Sequence, residues 1–95
     1  MPDSLRFEWD PRKAAANERK HAVGFQEATT VFDDPLSVTI PDPDHSVDEQ
    51  RFLLLGLSNR GRLLVVAHSA GGESIRIITA RRANRPERRT YEEEN

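Results

Sequence analysis

The chain has 95 residues, room for one small domain, and 36% of them are apolar against 32% charged. It holds no Cys, which excludes disulfides, thiolate metal sites and cysteine nucleophiles and fits a reducing compartment; it also lacks both the ~18-residue apolar run of a membrane span and an apolar signal core in its opening Met-Pro-Asp-Ser-Leu-Arg. The formal net charge of −2 gives no general affinity for nucleic acid, but it is unevenly spread: residues 1–50 carry 5 Lys/Arg and 11 Asp/Glu, residues 51–95 carry 9 and 5.

Leu5 to Trp9 alternate apolar and polar, which predicts a short strand. Asp10-Pro11 opens a helix over 11–21, with Asp as N-cap and Pro at the first helical position. Ala14, Ala15 and Ala16 favour that helix, and Lys20 and His21 sit in its last turn, where cations suit the dipole. Gly24 interrupts. Phe25, Ala28 and Phe32 then share one helical face, and Asp34-Pro35 ends this second helix. Residues 36–40 alternate as a strand, and 41–48 read as an acidic loop. The apolar run 51–57 predicts a central strand. Turns at Asn59-Arg60-Gly61 and Gly71-Gly72 separate it from strands at 63–68 and 74–79, an antiparallel meander. Asn84 to Glu94 read as a last helix, with Pro86 tolerated in its first turn. The order β-α-α-β-β-β-β-α predicts an α+β fold, a small antiparallel twisted sheet with packed helices, in a single domain over 1–95.

Few chemistries remain open. The three His, at 21, 45 and 68, have no metal-ligand spacing. Asp42, Asp44, Ser46 and Asp48 imitate the start of a calcium loop, but Val47 stands where its Gly belongs and Leu53 where its Glu belongs. There is no nucleophile elbow, phosphate-binding Gly loop or dinucleotide fingerprint, so no cofactor is expected. What stands out is Arg: six between Arg76 and Tyr91, against one acid, Glu87. Their planar forks fit phosphate or carboxylate, and the same residues also read as a solvated face whose stems cover apolar neighbours.

Cations, a few His and one Tyr can support metal-free RNA cleavage. There the 2′-hydroxyl attacks its neighbouring phosphate, a base takes its proton, cations hold the five-coordinate anion and an acid protonates the leaving oxygen. His21 beside Lys20 is a candidate acid/base pair, or simply complements the helix dipole. Arg76, between Ile75 and Ile77, leaves the face those residues use and shares the face of Ile78, where it needs an ion-pair partner or a ligand. Arg51 stands beside Asp48 and Glu49, either as a local ion pair or as a site group. Arg81 and Arg82 mark the junction of strand and last helix, a place for an anion. His68 reads as an ordinary strand residue and His45 as exposed loop. Phe7 and Trp9 read as core, and Tyr91 as packing for the last helix.

Phe7-Glu8-Trp9-Asp10 with Lys13 and Asn17 resembles the opening of BrnT-type toxins. Further blocks agree in order and spacing: Lys20-His21 with Phe25, Ala28 and Phe32-Asp33; Asp48-Glu49 with Arg51; Gly56 with Leu63 to Val66; Ile75 to Arg81; and Glu87, Arg88 and Tyr91. The match spans 7–91, and Arg76 to Arg81 is its most specific piece. Thr79 stands where members usually have Ser, and Pro86 where many have a basic or other non-Pro residue. The resemblance implies a RelE-like fold and an endoribonuclease toxin of a type II toxin–antitoxin pair that acts on RNA in the cytoplasm and stops translation. It implies a BrnA-type antitoxin partner with a ribbon–helix–helix part for operator DNA. It favours His21, Lys20, Arg51, Arg76, Arg81 and Glu49 as catalytic candidates, with Glu49 an alternative base to His21. Arg82, Arg85 and Arg88 are then candidates for RNA binding. The competing class is a non-catalytic module that binds RNA or a partner, such as an inactive toxin relative retained as a repressor subunit.

Overall fold

The computed structural model describes residues 5–42, 51–70 and 72–95. Its elements are β1 (Phe7–Glu8), α1 (Pro11–His21), α2 (Phe25–Thr30), a 3-10 turn (Val31–Asp33), β2 (Val38–Pro41), β3 (Arg51–Leu57), β4 (Leu63–Ala70), β5 (Ile75–Arg82) and α3 (Arg85–Glu94). The strands form one sheet in the order β1-β5-β4-β3-β2. From β2 to β5 all pairing is antiparallel, as expected for a meander. β1 departs from the expected all-antiparallel sheet. It pairs with β5 in parallel, through Phe7 with Ile75 and Glu8 with Arg76, so the sheet is mixed. A whole helical layer separates these two strands in sequence, so no hairpin constrains their direction.

Local chemistry sets the helix ends. The Asp10 side chain accepts from the Arg12 N–H, and Pro11 occupies the first helical position. Ala22 ends α1 in the left-handed region at φ 58°. Asn84 caps α3 in a full capping box: its Oδ1 accepts from Glu87 N at 2.9 Å, and Glu87 Oε1 accepts from Asn84 N at 2.9 Å. This box places Pro86 in the first turn, where no intrahelical donor is needed.

The two faces of the sheet bury different clusters. On one face, α1, α2 and the 3-10 turn cover Leu54, Leu64, Val66, Ile77 and Ala80 with Val23, Phe25, Ala28 and Val31. Phe7 and Trp9 join this core edge-on to Phe32 and Phe25, at ring-centroid distances of 5.1 and 5.9 Å. His68 is buried here too, 4.9 Å from the Phe32 ring and 6.0 Å from that of Phe52. On the other face α3 lays one aromatic, Tyr91, over Leu55, Leu63 and Val65. Gly56 marks a close approach: a Cβ there would stand 3.0 Å from both Val31 Cγ1 and Ser37 Cβ.

Two carboxylates tie these layers together. Asp34 Oδ2 accepts from Leu57 N at 2.8 Å and from the Tyr91 hydroxyl at 2.7 Å, joining the end of β3 to α3. The buried Glu27 accepts from Ser58 Oγ at 2.7 Å and from Arg62 Nε at 2.9 Å, with Arg62 Nη2 on its second oxygen. The bonds from Arg62 hold the Glu27 carboxyl below the usual carboxylate range, although burial opposes them.

Candidate active site

The face that α1 turns toward β5 is polar at regular intervals. Lys13, Ala16, Asn17, Lys20 and His21 recur at i, i+3, i+4, i+7 and i+8, one stripe of a helix. With Ile78 and Thr79 of β5 they line a cleft of about 290 Å³. Asn17 builds its floor. It is buried, donates to Ala80 O at 2.8 Å and to Val23 O at 2.9 Å, and accepts from Ala80 N at 3.0 Å. β1 stops at Glu8, so the outer backbone groups of β5 at Ala80 have no strand beside them, and the Asn17 amide takes that strand's place. Lys13 and Lys20 are exposed, and His21 is half-buried. Ammonium groups and an imidazole thus open onto one space, a set that can hold an anion and move a proton.

A bulge decides which face of the sheet each β5 side chain takes. Thr79 pairs with Ala67 and Ile77 with His68, which leaves Ile78 as an extra residue in β5. Arg76 therefore does not share a face with Ile78, as strict alternation predicts. It shares one with Thr79 and Arg81, on the side of the sheet away from α1 and α2. On that face the ladder sets Glu8, Arg76, Ser69 and Arg51 in one row across four strands. Arg76 and Arg51 are two strands apart, ~10 Å at the usual strand spacing. Arg76 is exposed and Arg51 half-buried.

The remaining candidates are distributed unevenly. Arg81 is engaged by Glu87 in a two-pronged pair, Nη1 to Oε1 at 2.8 Å and Nη2 to Oε2 at 2.7 Å. The pair raises the Arg81 pKa and holds the Glu87 carboxyl below its ordinary range, against the effect of burial. Arg82 and Arg88 line a second cleft at the far end of β5, and the exposed Arg85 lines neither. Glu49 and His45 lie outside the described residues, as do Asp44, Ser46 and Asp48 of the acidic loop. Among the described residues no group of three or more His, Asp or Glu side chains is placed to hold a metal ion, and no helix is long and apolar enough to cross a membrane.

Lys13, Asn17 and Thr79 line the cleft, yet the sequence does not single them out as site residues. The polar stripe of α1 is visible there, but alternate faces of a helix look alike until its neighbour is known. The sequence is equally silent on Arg62, because its partner Glu27 lies 35 residues away.

A family model described as the ribonuclease toxin BrnT of type II toxin–antitoxin systems matches residues 9–87. No curated protein matches the chain. Among solved structures, the 1.1 Å crystal structure of the Brucella abortus ribonuclease toxin BrnT is similar in fold, with a TM-score of 0.66 at 19% identity. The similarity covers 86% of this chain and 100% of that one.

Proposed function

Since the chain belongs to the BrnT family of type II toxin–antitoxin ribonucleases, we propose that it cleaves RNA internally and without a metal ion, in the cleft between α1 and β5. The observation that supports this most is the convergence of Lys13, Lys20 and His21 in one cleft against β5, whose opposite face carries Arg76 and Arg51 in one row.

The chemistry follows from those groups. His21 takes the proton of a 2′-hydroxyl, whose oxygen attacks the adjacent phosphorus. The bond to the 5′-oxygen breaks, that oxygen receives a proton, and a 2′,3′-cyclic phosphate remains. Lys13 and Lys20 supply positive charge to the phosphorane as its negative charge grows. Arg76 and Arg51, in one row on the opposite face of the sheet, supply charge to RNA backbone that continues past the cleft. Arg81 serves the site through α3, because Glu87 occupies its fork. Glu49 remains the alternative base. Because the 2′-hydroxyl is the nucleophile, DNA is spared. Cleavage of messenger RNA in the cytoplasm stops translation, and a BrnA-type antitoxin neutralises the enzyme by covering it.

The test is cleavage of an end-labelled RNA by purified protein in EDTA, alone and with ribosomes, alongside Arg76→Ala and His21→Ala. Cleavage that survives EDTA, is lost in folded His21→Ala and is weakened in folded Arg76→Ala supports the assignment. Variants that cut at the wild-type rate overturn it. RNA binding without cleavage under either condition identifies a binding module instead.

A further inference from the structure

We propose that the cleft at the C-terminal end of β5 is a second phosphate subsite, which holds RNA backbone away from the bond being cut. This rests on the ribonuclease reading above and adds to it a recognition site for longer substrate. Arg62, Arg82 and Arg88 approach a space of about 270 Å³ from three different elements, around Gly61, Leu63 and Ala83. The frame is held by the bond from Ala83 N to Leu63 O, 2.9 Å long. Gly61, at φ 76°, has open space where a Cβ would be, so the rim is not obstructed there.

The three arginines play different parts. Arg62 is fixed: its Nε and Nη2 are bonded to the buried Glu27, and Nη2 also donates to Ala22 O at 3.2 Å. Glu27 balances its charge, so Arg62 forms a wall with little net field. Arg82 and Arg88 supply the uncompensated charge. Both are exposed, and among the described residues neither has a carboxylate partner. Glu87 is the one acid within the Arg-rich segment, and it is withheld from the cleft by Arg81 and by Asn84 N. Two guanidinium forks with no internal acid are suited to a phosphodiester, which accepts two parallel N–H bonds.

Position favours RNA over an acidic protein segment. Arg82 lies three residues beyond Thr79 on the same strand, ~10 Å along it. An RNA strand engaged at the α1 cleft and running along β5 therefore reaches Arg82 within a few nucleotides.

The experiment measures binding of single-stranded 2′-O-methyl RNA, which lacks the nucleophile, to the full chain and to the double variant R82Q/R88Q. A dinucleotide and a long oligomer are compared over a range of salt, with Trp9 fluorescence melts as the folding control. The expected result for the variant is about tenfold weaker binding of the long oligomer. Its log–log salt slope should also fall by about 0.7 for each phosphate that is no longer neutralised. Dinucleotide binding should not change. Unchanged affinity and slope for the long oligomer overturn the proposal. So does an equal weakening for the dinucleotide, or a weakening seen only with an acidic peptide. Cleavage assayed separately keeps the two readings apart: an inactive wild type whose long-RNA binding still depends on Arg82 and Arg88 fails the ribonuclease reading and keeps the subsite.

Discussion

Arg76 and Arg81 stand on the same face of β5, although an odd separation in a regular strand puts residues on opposite faces. The extra residue at Ile78 restores their alignment. The two are nonetheless employed differently. Arg76 is exposed in the row with Arg51, while Arg81 grips Glu87 and so ties the end of β5 to the capping box of α3.

This division predicts that Arg81→Gln and Glu87→Gln resemble each other. A double-mutant cycle on thermal or urea unfolding should give a coupling of about 1 kcal/mol. The ion pair holds the Glu87 pKa down, so its stabilisation is present above the ordinary carboxylate pKa. It is lost as pH falls through the lower folded value. A wild-type activity in Glu87→Gln beside a dead Arg81→Gln would return Arg81 to the reacting phosphate.

Asn17 is expected to be costly to replace. Asn17→Ala leaves Ala80 N, Ala80 O and Val23 O unpaired in a buried place, and should lower stability by about 2–4 kcal/mol. A change in urea midpoint read through Trp9 checks this. A loss below about 0.5 kcal/mol would mean that water replaces the amide easily.

His68 should make stability depend on pH. Burial among Phe32 and Phe52 lowers its pKa, against the hydrogen bond with Val66 O. The unfolded chain then binds the proton first. Stability contributed by neutral His68 is present above pH ~6.5 and falls as pH drops from there toward the folded pKa, by up to ~1.4 kcal/mol per pH unit. Unfolding measured across that range in His68→Phe should lose this component.

Tyr91 is the chain's single tyrosine, so its ionisation can be followed by absorbance without interference from another phenol. Burial and the bond to Asp34 push its pKa up to about 12. Phenolate absorbance rising near pH ~10, the ordinary tyrosine value, in the folded protein would contradict that bond. Tyr91→Phe should cost about 1 kcal/mol.

Ala22 sits at φ 58° with a Cβ that this region disfavours. Ala22→Gly should raise stability by about 0.5–1 kcal/mol, the relief of strain exceeding the added freedom of the unfolded chain. A lower melting temperature in that variant would show that Ala22 is not strained.

Much of this architecture is local, and is legible in the sequence for that reason. Asp10-Pro11, Gly24 and Asn84 punctuate the helices through groups a few residues apart, and the runs 51–57 and 63–68 declare themselves strands by apolar content. The ordered blocks from Phe7 to Tyr91 carry the family resemblance, because they are a property of the linear chain. Relations between distant segments needed the folded molecule. The parallel pairing of β1 depends on a partner strand 68 residues later, Phe7 against Ile75. The bulge at Ile78 exists only against the register of β4, and without it Arg76 is assigned to the wrong face. The α1 cleft, the pairing of Arg62 with Glu27 and the cleft of Arg82 and Arg88 arise where side chains from separate elements meet. Residue type and spacing state which chemistry a chain can perform; only the packing of its elements brings those groups to one place, since that packing is set by the sum of many long-range contacts rather than by any one segment's preference.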